Sequence, residues 1–395
     1  MAVSILGGMP DLAALRHIVE GRLPRFMAEL ERLVNIDCGS YTADGVDRVA
    51  GFVSGALSEL GASVERIPHE PGSDGTRLGD LVIGRLEGDG PRILLIGHMD
   101  TVFDPGTVAE RPFRVAGDRA LGPGVTDMKA GLLAGLHAVA ALHEAGTRPS
   151  LTFVANPDEE IGSPFSTPHI RELAPGHDAV LVLECARANG DIVSARKGIA
   201  DYHVTVTGRA AHAGVEPEKG RSAILEAAHQ VLALHELNGR WPAVTVNAGV
   251  IHGGTRPNVV AERCELRVDL RAATGDAFER AAAEVERLAA SPRLDGVRVE
   301  LRRTAGHPPM EKTAASAALV ETAVSIAAAL GFELRDAATG GASDANTTAA
   351  LGIATIDGLG PVGGDDHSVD EWLDVGSIVP RTTLLAELIA RIGRS

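Results

Sequence analysis

The chain has 395 residues, of which 45% are hydrophobic and 23% are charged, and this composition is typical of a globular protein long enough for two domains. Its formal net charge of -16 disfavours a nucleic-acid partner, because nucleic-acid phosphates would be repelled. We read no apolar run of the ~20 residues that a membrane span needs and no basic segment typical of a secretory signal, so we expect a cytoplasmic protein without a membrane partner.

The first half of the chain alternates segments of helical and strand-like spacing. Apolar residues recur every three or four positions in the predicted helices, whereas the predicted strands are short, β-branched and apolar. The helices are predicted at 23–37, 46–61 and 128–146, and the strands at 63–69, 80–86, 91–100, 151–155 and 179–184. Strands that alternate with helices predict a mostly parallel α/β sheet.

The pattern changes after Lys197. Alternating strands are predicted at 201–209, 243–254, 264–272 and 297–305, and helices at 221–239 and 276–290. This β-α-β-β-α-β order is the ferredoxin-like arrangement, and the alternation indicates an antiparallel sheet covered on one face. The first pattern returns from about Glu311. We therefore predict an α/β domain of residues 1–196 and 309–395, interrupted by an inserted α+β domain of residues 197–308.

His98 and Asp100 end one of the predicted buried strands. Residues two apart on an extended chain point to the same side, so these side chains are expected to lie together. A carboxylate beside a histidine can accept one ring N–H and leave the other nitrogen free for a metal. A hydrogen-bonded loop histidine is the alternative that this short motif leaves open.

Asp127 follows a glycine-rich turn and precedes the long apolar helix. An acid at this point can be a simple helix N-cap. A phosphate-binding loop is disfavoured, because the turn lacks the GxxxxGK[ST] pattern and Lys129 lies beyond the acid.

Three adjacent acids, Asp158, Glu159 and Glu160, follow the strand predicted at 151–155. A solvated loop is the simplest explanation of such a triplet. However, other O and N donors are predicted at the same edge, because ligands of open α/β sheets gather at the carboxyl ends of the strands. These donors are His98, Asp127, Glu184 and His367. A set of oxygen and nitrogen donors without a thiolate indicates a site for a hard or borderline divalent cation, which would also relieve the repulsion between the acids.

Several segments together carry a family resemblance. They are HMDTV (98–102), GPGVTDMKAG (122–131), NPDEEIGS (156–163), GRAAHAG (208–214) and GDDHSVDEW (364–372). In this order they resemble the M20 metallopeptidases, and within them the glutamate carboxypeptidase branch. The resemblance implies a zinc-peptidase-type α/β catalytic domain with an inserted ferredoxin-like lid and dimerisation domain.

The resemblance also implies a metal centre. It predicts two zinc ions per subunit, bridged by Asp127, with one ion held also by His98 and Glu184 and the other by Glu160 and His367. Cobalt and manganese fit the same O and N donors.

Catalytic roles follow from the same resemblance. Glu159 is implied as the general base and Asp100 as the partner that orients His98. His212 is implied to stabilise the oxyanion from a partner subunit, and a homodimer through the inserted domain is therefore expected.

The resemblance assigns the substrate contacts to the second half of the chain. Arg271 matches an arginine that binds a substrate carboxylate, a task suited to its planar fork. The remaining implied contacts are Asn258, Gly340, Gly341 and Ser343. One departure concerns His307, which precedes Pro308 where glutamate-specific relatives carry a second arginine. This change leaves recognition of a glutamate side chain open.

The sequence therefore predicts a dizinc hydrolase that releases a C-terminal amino acid from an N-acyl amino acid or a peptide. An aminoacylase, a deacetylase and a dipeptidase are alternatives within the family. A non-catalytic binder of amino-acid derivatives is disfavoured because every implied ligand and the base are present. A dinucleotide-binding oxidoreductase is excluded because no strand is followed by GxGxxG.

Overall fold

The structure is a computed structural model that describes residues 11–393. Residues 1–10, where a secretory signal would begin, lie outside the described residues. The described chain divides into two compact units. The first consists of residues 11–194, 312–338 and 347–393, and the second of residues 195–311 and 339–346.

The described residues form ten α-helices, with a few short 3₁₀ turns between them. The helices are α1 (Leu12–Val34), α2 (Ala43–Glu59), α3 (Thr107–Glu110), α4 (Ala130–Glu144), α5 (Ser166–Leu173), α6 (Ala223–His235), α7 (Gly275–Ala289), α8 (Ala314–Leu330), α9 (Asp344–Ala350) and α10 (Ile378–Ile392).

The same residues form sixteen strands. The strands are β1 (Ser63–Ile67), β2 (Leu81–Leu86), β3 (Asp89–His98), β4 (Arg114–Ala116), β5 (Arg119–Leu121), β6 (Pro149–Asn156), β7 (Ala179–Val182), β8 (Ile192–Arg196), β9 (Gly198–Thr207), β10 (Thr245–Gly253), β11 (Arg263–Ala272), β12 (Arg298–His307), β13 (Asp336–Thr339), β14 (Ala354–Ile356), β15 (Gly363–Gly364) and β16 (Trp372–Asp374).

A six-stranded sheet forms the centre of the first unit, in the order β1-β2-β6-β3-β7-β14. The pairs β6–β3, β3–β7 and β7–β14 are parallel, whereas β1 and β2 join the sheet antiparallel. The inner strands are almost wholly buried, as expected for a sheet covered on both faces. Because β3, β6 and β7 run in the same direction, the chain segments that follow them meet at one edge.

Helix α4 packs in the core of the first unit. It is apolar all round, and all but its last two residues are buried. Its approach to the sheet needs Gly131, because a Cβ there would lie 1.9 Å from the backbone oxygen of Leu183. Among residues 11–393, one stretch, Val125–Glu144, is long and apolar enough to cross a membrane by length and composition, which our sequence reading did not recognise. It is 89% buried inside the protein, as a core helix is.

A small antiparallel sheet was not predicted from the sequence. Its order is β15-β16-β5-β4, and it connects the turn before Asp127 with the segment that carries His367. Its strands have only two or three residues, which is too short for the alternation of apolar residues to be recognised.

The second unit is a four-stranded antiparallel sheet in the order β10-β11-β9-β12, with α6 and α7 packed on it. Alternate residues of β9 are buried, and with those of β11 they form a core against the two helices. The element order is the predicted β-α-β-β-α-β. The mixed α/β fold with an inserted α+β unit is therefore confirmed.

The segment 339–346 belongs to the second unit, although the predicted boundaries assign it to the first domain. The Nδ2 of Asn346 donates hydrogen bonds to the carbonyls of Lys197 (3.1 Å) and Pro308 (2.7 Å). Arg271 Nη1 also donates to the carbonyl of Gly340 at 2.8 Å. These hydrogen bonds attach the segment to both ends of the inserted chain, and the local sequence does not reveal such non-local contacts.

A buried histidine joins α1 to α4. His137 is 3% exposed, and its Nε2 lies 2.8 Å from Glu29 Oε2 while Arg22 Nε donates to its Nδ1 at 3.3 Å. One ring nitrogen therefore donates and the other accepts, which is the pattern of a neutral imidazole. Burial lowers the pKa of His137, so the folded state disfavours its protonation.

This histidine predicts a pH dependence of stability. Below a pH of about 6.5 the unfolded chain binds a proton at His137 that the folded chain does not, so stability contributed by the neutral form is lost as the pH falls. We expect the free energy of unfolding to decrease between pH 7.5 and 5.5 by about 1 kcal/mol more in the wild type than in His137→Gln. Urea denaturation of both proteins at the two pH values measures this difference. Parallel losses in the two proteins would contradict the assignment.

Candidate metal centre

His98 is placed by the buried end of β3 and is 1% exposed. Its Nδ1 lies 3.0 Å from the backbone oxygen of Asp100 and 3.4 Å from the carboxylate of the same residue. The carbonyl is thus the nearer acceptor, and the predicted orienting role of Asp100 is shared between its backbone and its side chain. The other ring nitrogen, Nε2, faces Asp127 Oδ1 at 3.0 Å and Glu184 Oε1 at 3.7 Å.

The carboxylate of Asp100 has a second task that the sequence did not predict. It accepts a hydrogen bond from Ser40 Oγ (2.6 Å) and from the backbone N–H groups of Glu159 and Glu160 (3.2 Å each). Asp100 is itself 1% exposed. It therefore connects the end of β3 to the turn that carries both glutamates.

Asp127 lies in an irregular turn just before α4. Gly122 and Gly124 have φ values of 144° and 70°, a region that favours glycine, and the Asp127–Met128 peptide bond is cis. Its two oxygens face different histidines, since Oδ1 is 3.0 Å from His98 Nε2 and Oδ2 is 3.2 Å from His367 Nε2. This geometry is not that of a simple helix cap, because each carboxylate oxygen faces a histidine from a different segment.

Glu371 holds the turn in place and was not recognised from the sequence. Its carboxylate, 2% exposed, accepts hydrogen bonds from the backbone N–H groups of Gly124 (2.8 Å), Thr126 (2.9 Å) and Asp127 (3.1 Å). Because Glu371 follows His367 by four residues, it couples the two segments that carry Asp127 and His367. Burial raises the pKa of Glu371 to about 7, against the effect of the three N–H donors.

The three adjacent acids after β6 have three different environments. Asp158 is fully buried and accepts hydrogen bonds from Ser166 Oγ and from the N–H of Phe165 (2.6 Å), so it fixes the start of α5. Glu160 Oε2 lies 3.1 Å from His367 Nε2. Glu159 is half-buried and belongs to neither of the two ligand clusters found in residues 11–393. The triplet is therefore not a solvated loop.

Those two clusters share Asp127. His98, Asp127 and Glu184 form one, and Asp127, Glu160 and His367 form the other, with the donor atoms of each within 4.8 Å of one another. All donors are carboxylate oxygens or imidazole nitrogens, a set that suits zinc, manganese or cobalt.

The electrostatics of the clusters fit bound cations. Burial, together with the charge of Asp127, raises the pKa of Glu184 to about 8, and burial raises that of Glu160. Hydrogen bonds to Asp127 and Glu160 raise the pKa of His367 to about 11. The carboxylates thus favour positive charge between them. Within the described chain, Glu160 Oε1 is also buried without a hydrogen-bond partner, and a bound cation would supply the missing interaction.

The residues implied as substrate contacts lie in the second unit. Ala213, next to His212, donates its N–H to the carbonyl of Asn258 at 3.0 Å, so the exposed His212 and Asn258 lie on adjoining segments. Arg271 Nε donates to Asp269 (3.1 Å) and its Nη1 to Gly340. These contacts fix the plane of the guanidinium.

Two of the predicted substrate contacts are buried in this structure. Ser343 is 1% exposed, and its hydroxyl accepts the N–H of Ala345 at 3.1 Å, so it caps α9. His307 is 8% exposed at the end of β12. Gly341 accepts a hydrogen bond from Arg196 through its carbonyl (3.2 Å). The helix-cap role of Ser343 has a local signal, a serine directly before an acid that begins a helix, which our sequence reading did not use.

Comparison with known proteins places the chain in a family. Residues 94–391 match peptidase family M20/M25/M40. The chain is 35% identical over 379 residues to carboxypeptidase G2 of Pseudomonas sp. (strain RS-16), covering 94% of this chain and 90% of that protein. It is 30% identical over 356 residues to succinyl-diaminopimelate desuccinylase of Leptothrix cholodnii, covering 83% and 89% of the two chains.

A solved structure shows the same fold. The crystal structure of aminopeptidase PepT from Bacillus cereus superposes with a TM-score of 0.75 at 24% identity, covering 94% of this chain and 98% of that chain. The family match spans most of the sequence and includes the residues of both ligand clusters. The chain therefore belongs to peptidase family M20/M25/M40 and is a metallopeptidase of that family.

Proposed function

We propose that the protein is a dizinc hydrolase that cleaves the amide bond of N-acyl amino acids or peptides and releases a C-terminal amino acid. The observation that carries the proposal is the Asp127 carboxylate, whose two oxygens face His98 and His367 at 3.0 and 3.2 Å. A carboxylate shared in this way is the central ligand of a two-metal site. The similarity to carboxypeptidase G2 supports the reaction class.

The ligands are proposed by cluster. His98 and Glu184 would hold one ion with Asp127, and Glu160 and His367 would hold the other. Two bound dications supply Lewis acidity at the scissile carbonyl and a water of lowered pKa.

The remaining steps are assigned to side chains of this protein. Glu159 follows Asp158 directly and donates its backbone N–H to Asp100 Oδ1 at 3.2 Å, and we assign its carboxylate the task of accepting a proton from the attacking water. The water oxygen adds to the carbonyl carbon, the C–N bond breaks, and Glu159 returns the proton to the leaving nitrogen. His212 would donate a hydrogen bond to the developing oxyanion.

Arg271 is proposed to bind the carboxylate of the released residue. It is about one-third exposed, and Asp269 and Gly340 hold its Nε and Nη1. Among the hydrogen bonds of residues 11–393, none involves its Nη2, which leaves that edge for a substrate. His307 stands where the resemblance implies a second arginine in glutamate-specific relatives, so the proposal covers glutamate and other released amino acids alike.

A dimer is proposed from the second unit. Strand β10 is an edge strand, and it exposes Val250 and Ile251. Helix α6 packs beside β10 and exposes Leu225 and Leu232, which lie two turns apart on the same face of the helix. An open strand edge next to an exposed apolar helix face favours pairing with a second copy.

The reaction is tested with zinc-loaded protein and a panel of N-acyl amino acids that differ in the released residue. We expect mass spectrometry to detect release of a free amino acid by the wild type. In Glu159→Gln we expect a loss of about 10²–10⁴-fold in kcat, because the base is removed while the metal ligands remain. Metal content by mass spectrometry is the control and should equal that of the wild type. Full activity in this variant would remove Glu159 as the base, and binding without release by the wild type would indicate a non-catalytic protein.

Glu371 predicts an effect on metal binding. In Glu371→Gln an amide N–H₂ replaces an oxygen that accepts backbone N–H groups, so the Asp127 turn loses a hydrogen bond. We expect zinc to bind about 10–100-fold more weakly at the site shared with His367. Titration of metal-free protein in competition with a chromophoric chelator measures this, and the exposed neighbour Asp370→Asn serves as the matched control. Wild-type affinity for two equivalents of zinc in Glu371→Gln would contradict the proposed role.

The dimer predicts a mass of twice the chain mass of 41.0 kDa in light scattering. We expect Leu232→Glu to give monomers, because it places a charge on the apolar face of α6. The matched control is Leu351→Glu, an exposed leucine of the first unit, and it should remain dimeric. The monomeric variant should retain zinc but lose activity, because His212 is proposed to act in the partner subunit. A fully active monomer would overturn this proposal.

A further inference from the structure

A cavity of about 540 Å³ lies in the first unit beside the segment that carries His367. Its floor is one face of the hairpin formed by β4 and β5. The register pairs Arg114 with Leu121 and Ala116 with Arg119, so these four side chains point to the same side. All four line the cavity.

Two guanidinium groups of this cavity are oriented by aromatic rings. Arg119 lies 4.0 Å from the ring centroid of Trp372, and Arg111 lies 4.8 Å from that of Phe103. Arg111 Nη1 also donates to the backbone oxygen of Ser368 at 3.2 Å. Stacking and a carbonyl acceptor fix the plane of an arginine without neutralising its charge.

None of the three arginines that line the cavity forms an ion pair within residues 11–393. Across residues 11–393, no ion pair within 4 Å includes Arg111, Arg114 or Arg119, although the chain has 53 acidic and 37 basic residues. Three acids, Glu110, Asp365 and Asp370, also line the cavity, but none of them lies within that distance of an arginine of the cavity. Asp365 accepts a hydrogen bond from Trp372 Nε1 at 3.0 Å instead.

Several residues that line the cavity adjoin the metal-ligand segments along the chain. Asp365 and Val369, which line it, lie two residues on either side of His367, and Gly122 of its lining begins the turn that carries Asp127. A group bound here would therefore lie beside the ligand segments. The size of the cavity is within the range of small-molecule sites.

We propose that this cavity binds a carboxylate carried by the acyl half of the substrate. The proposal rests on the proposed function, in which Arg271 binds the other half, the released amino acid. Guanidinium groups bind carboxylates through paired N–H donors, and Leu121 and Ala116 offer apolar surface between Arg114 and Arg119 to a short methylene chain. The preferred substrates are then N-acyl amino acids whose acyl group ends in a carboxylate.

A matched pair of substrates tests the preference. The N-glutaryl derivative of the residue best released by the wild type is compared with the same compound in which the distal carboxylate is a carboxamide. We expect kcat/KM to be at least about tenfold higher for the carboxylate, which corresponds to about 1.4 kcal/mol. Arg114→Gln should bring this ratio close to one, and Arg171→Gln, an exposed arginine on α5, should leave it unchanged. Equal kcat/KM values for the two substrates in the wild type would overturn the site while leaving the hydrolase function intact.

A second measurement does not depend on turnover. Trp372 is one of only two tryptophans, so Trp241→Phe leaves it as the single tryptophan, whose emission can be excited selectively over that of the two tyrosines. In the metal-loaded double variant Trp241→Phe/Glu159→Gln, the N-glutaryl compound should change the fluorescence saturably, with a Kd at least about tenfold below that of the carboxamide. Adding Arg114→Gln should abolish the difference. A Kd that Arg114→Gln does not change would place the carboxylate elsewhere, including at the metal ions, and would overturn the proposal even if no substrate is hydrolysed.

Discussion

The contact of one carboxylate with two histidines is the constraint on which the rest of the site depends. Asp127 can face His98 and His367 together only if the turn before α4 holds its backbone in one position. Three groups determine that position: the glycines that permit the turn, the buried Glu371 that accepts its N–H groups, and the close approach of α4 at Gly131. None of these is a ligand, yet each limits where the ligand can lie.

Charge explains why the centre has so many buried acids. Carboxylates at the ends of β6 and β7 are kept from water, which raises the pKa of Glu160 and Glu184, and their repulsion is balanced only by positive charge on the two histidines or by cations. The buried carboxylate of Asp100 is stabilised in a different way. It accepts hydrogen bonds from Ser40 and from two backbone N–H groups, which offset the loss of its hydration. The site therefore depends on hydrogen bonds that fix the backbone as much as on the ligands themselves.

The sequence predicted the α/β class and the inserted α+β unit because both rest on local periodicity and on strand order. Strand order also predicted that His98, Glu160 and Glu184 lie at one edge of the sheet, because neighbouring parallel strands end at the same edge. It could not predict Glu371 or Ser40, since their partners lie 244–247 and 60 residues away and nothing in their neighbours marks the contact. The small antiparallel sheet and the attachment of residues 339–346 were not predicted for the same reason. Each consists of non-local hydrogen bonds between short segments.

The triplet Asp158, Glu159 and Glu160 has a consequence for how this family can change. The first acid accepts hydrogen bonds from the start of α5, the third faces His367, and the middle one belongs to neither ligand cluster of residues 11–393. The environment of each acid depends on the direction in which its side chain leaves the backbone. Substitutions in this segment can therefore be gradual, but the gain or loss of a single residue would rotate all three acids out of their environments at once. Insertions and deletions should thus accumulate in the exposed stretch 70–76 after β1 and avoid residues 156–161.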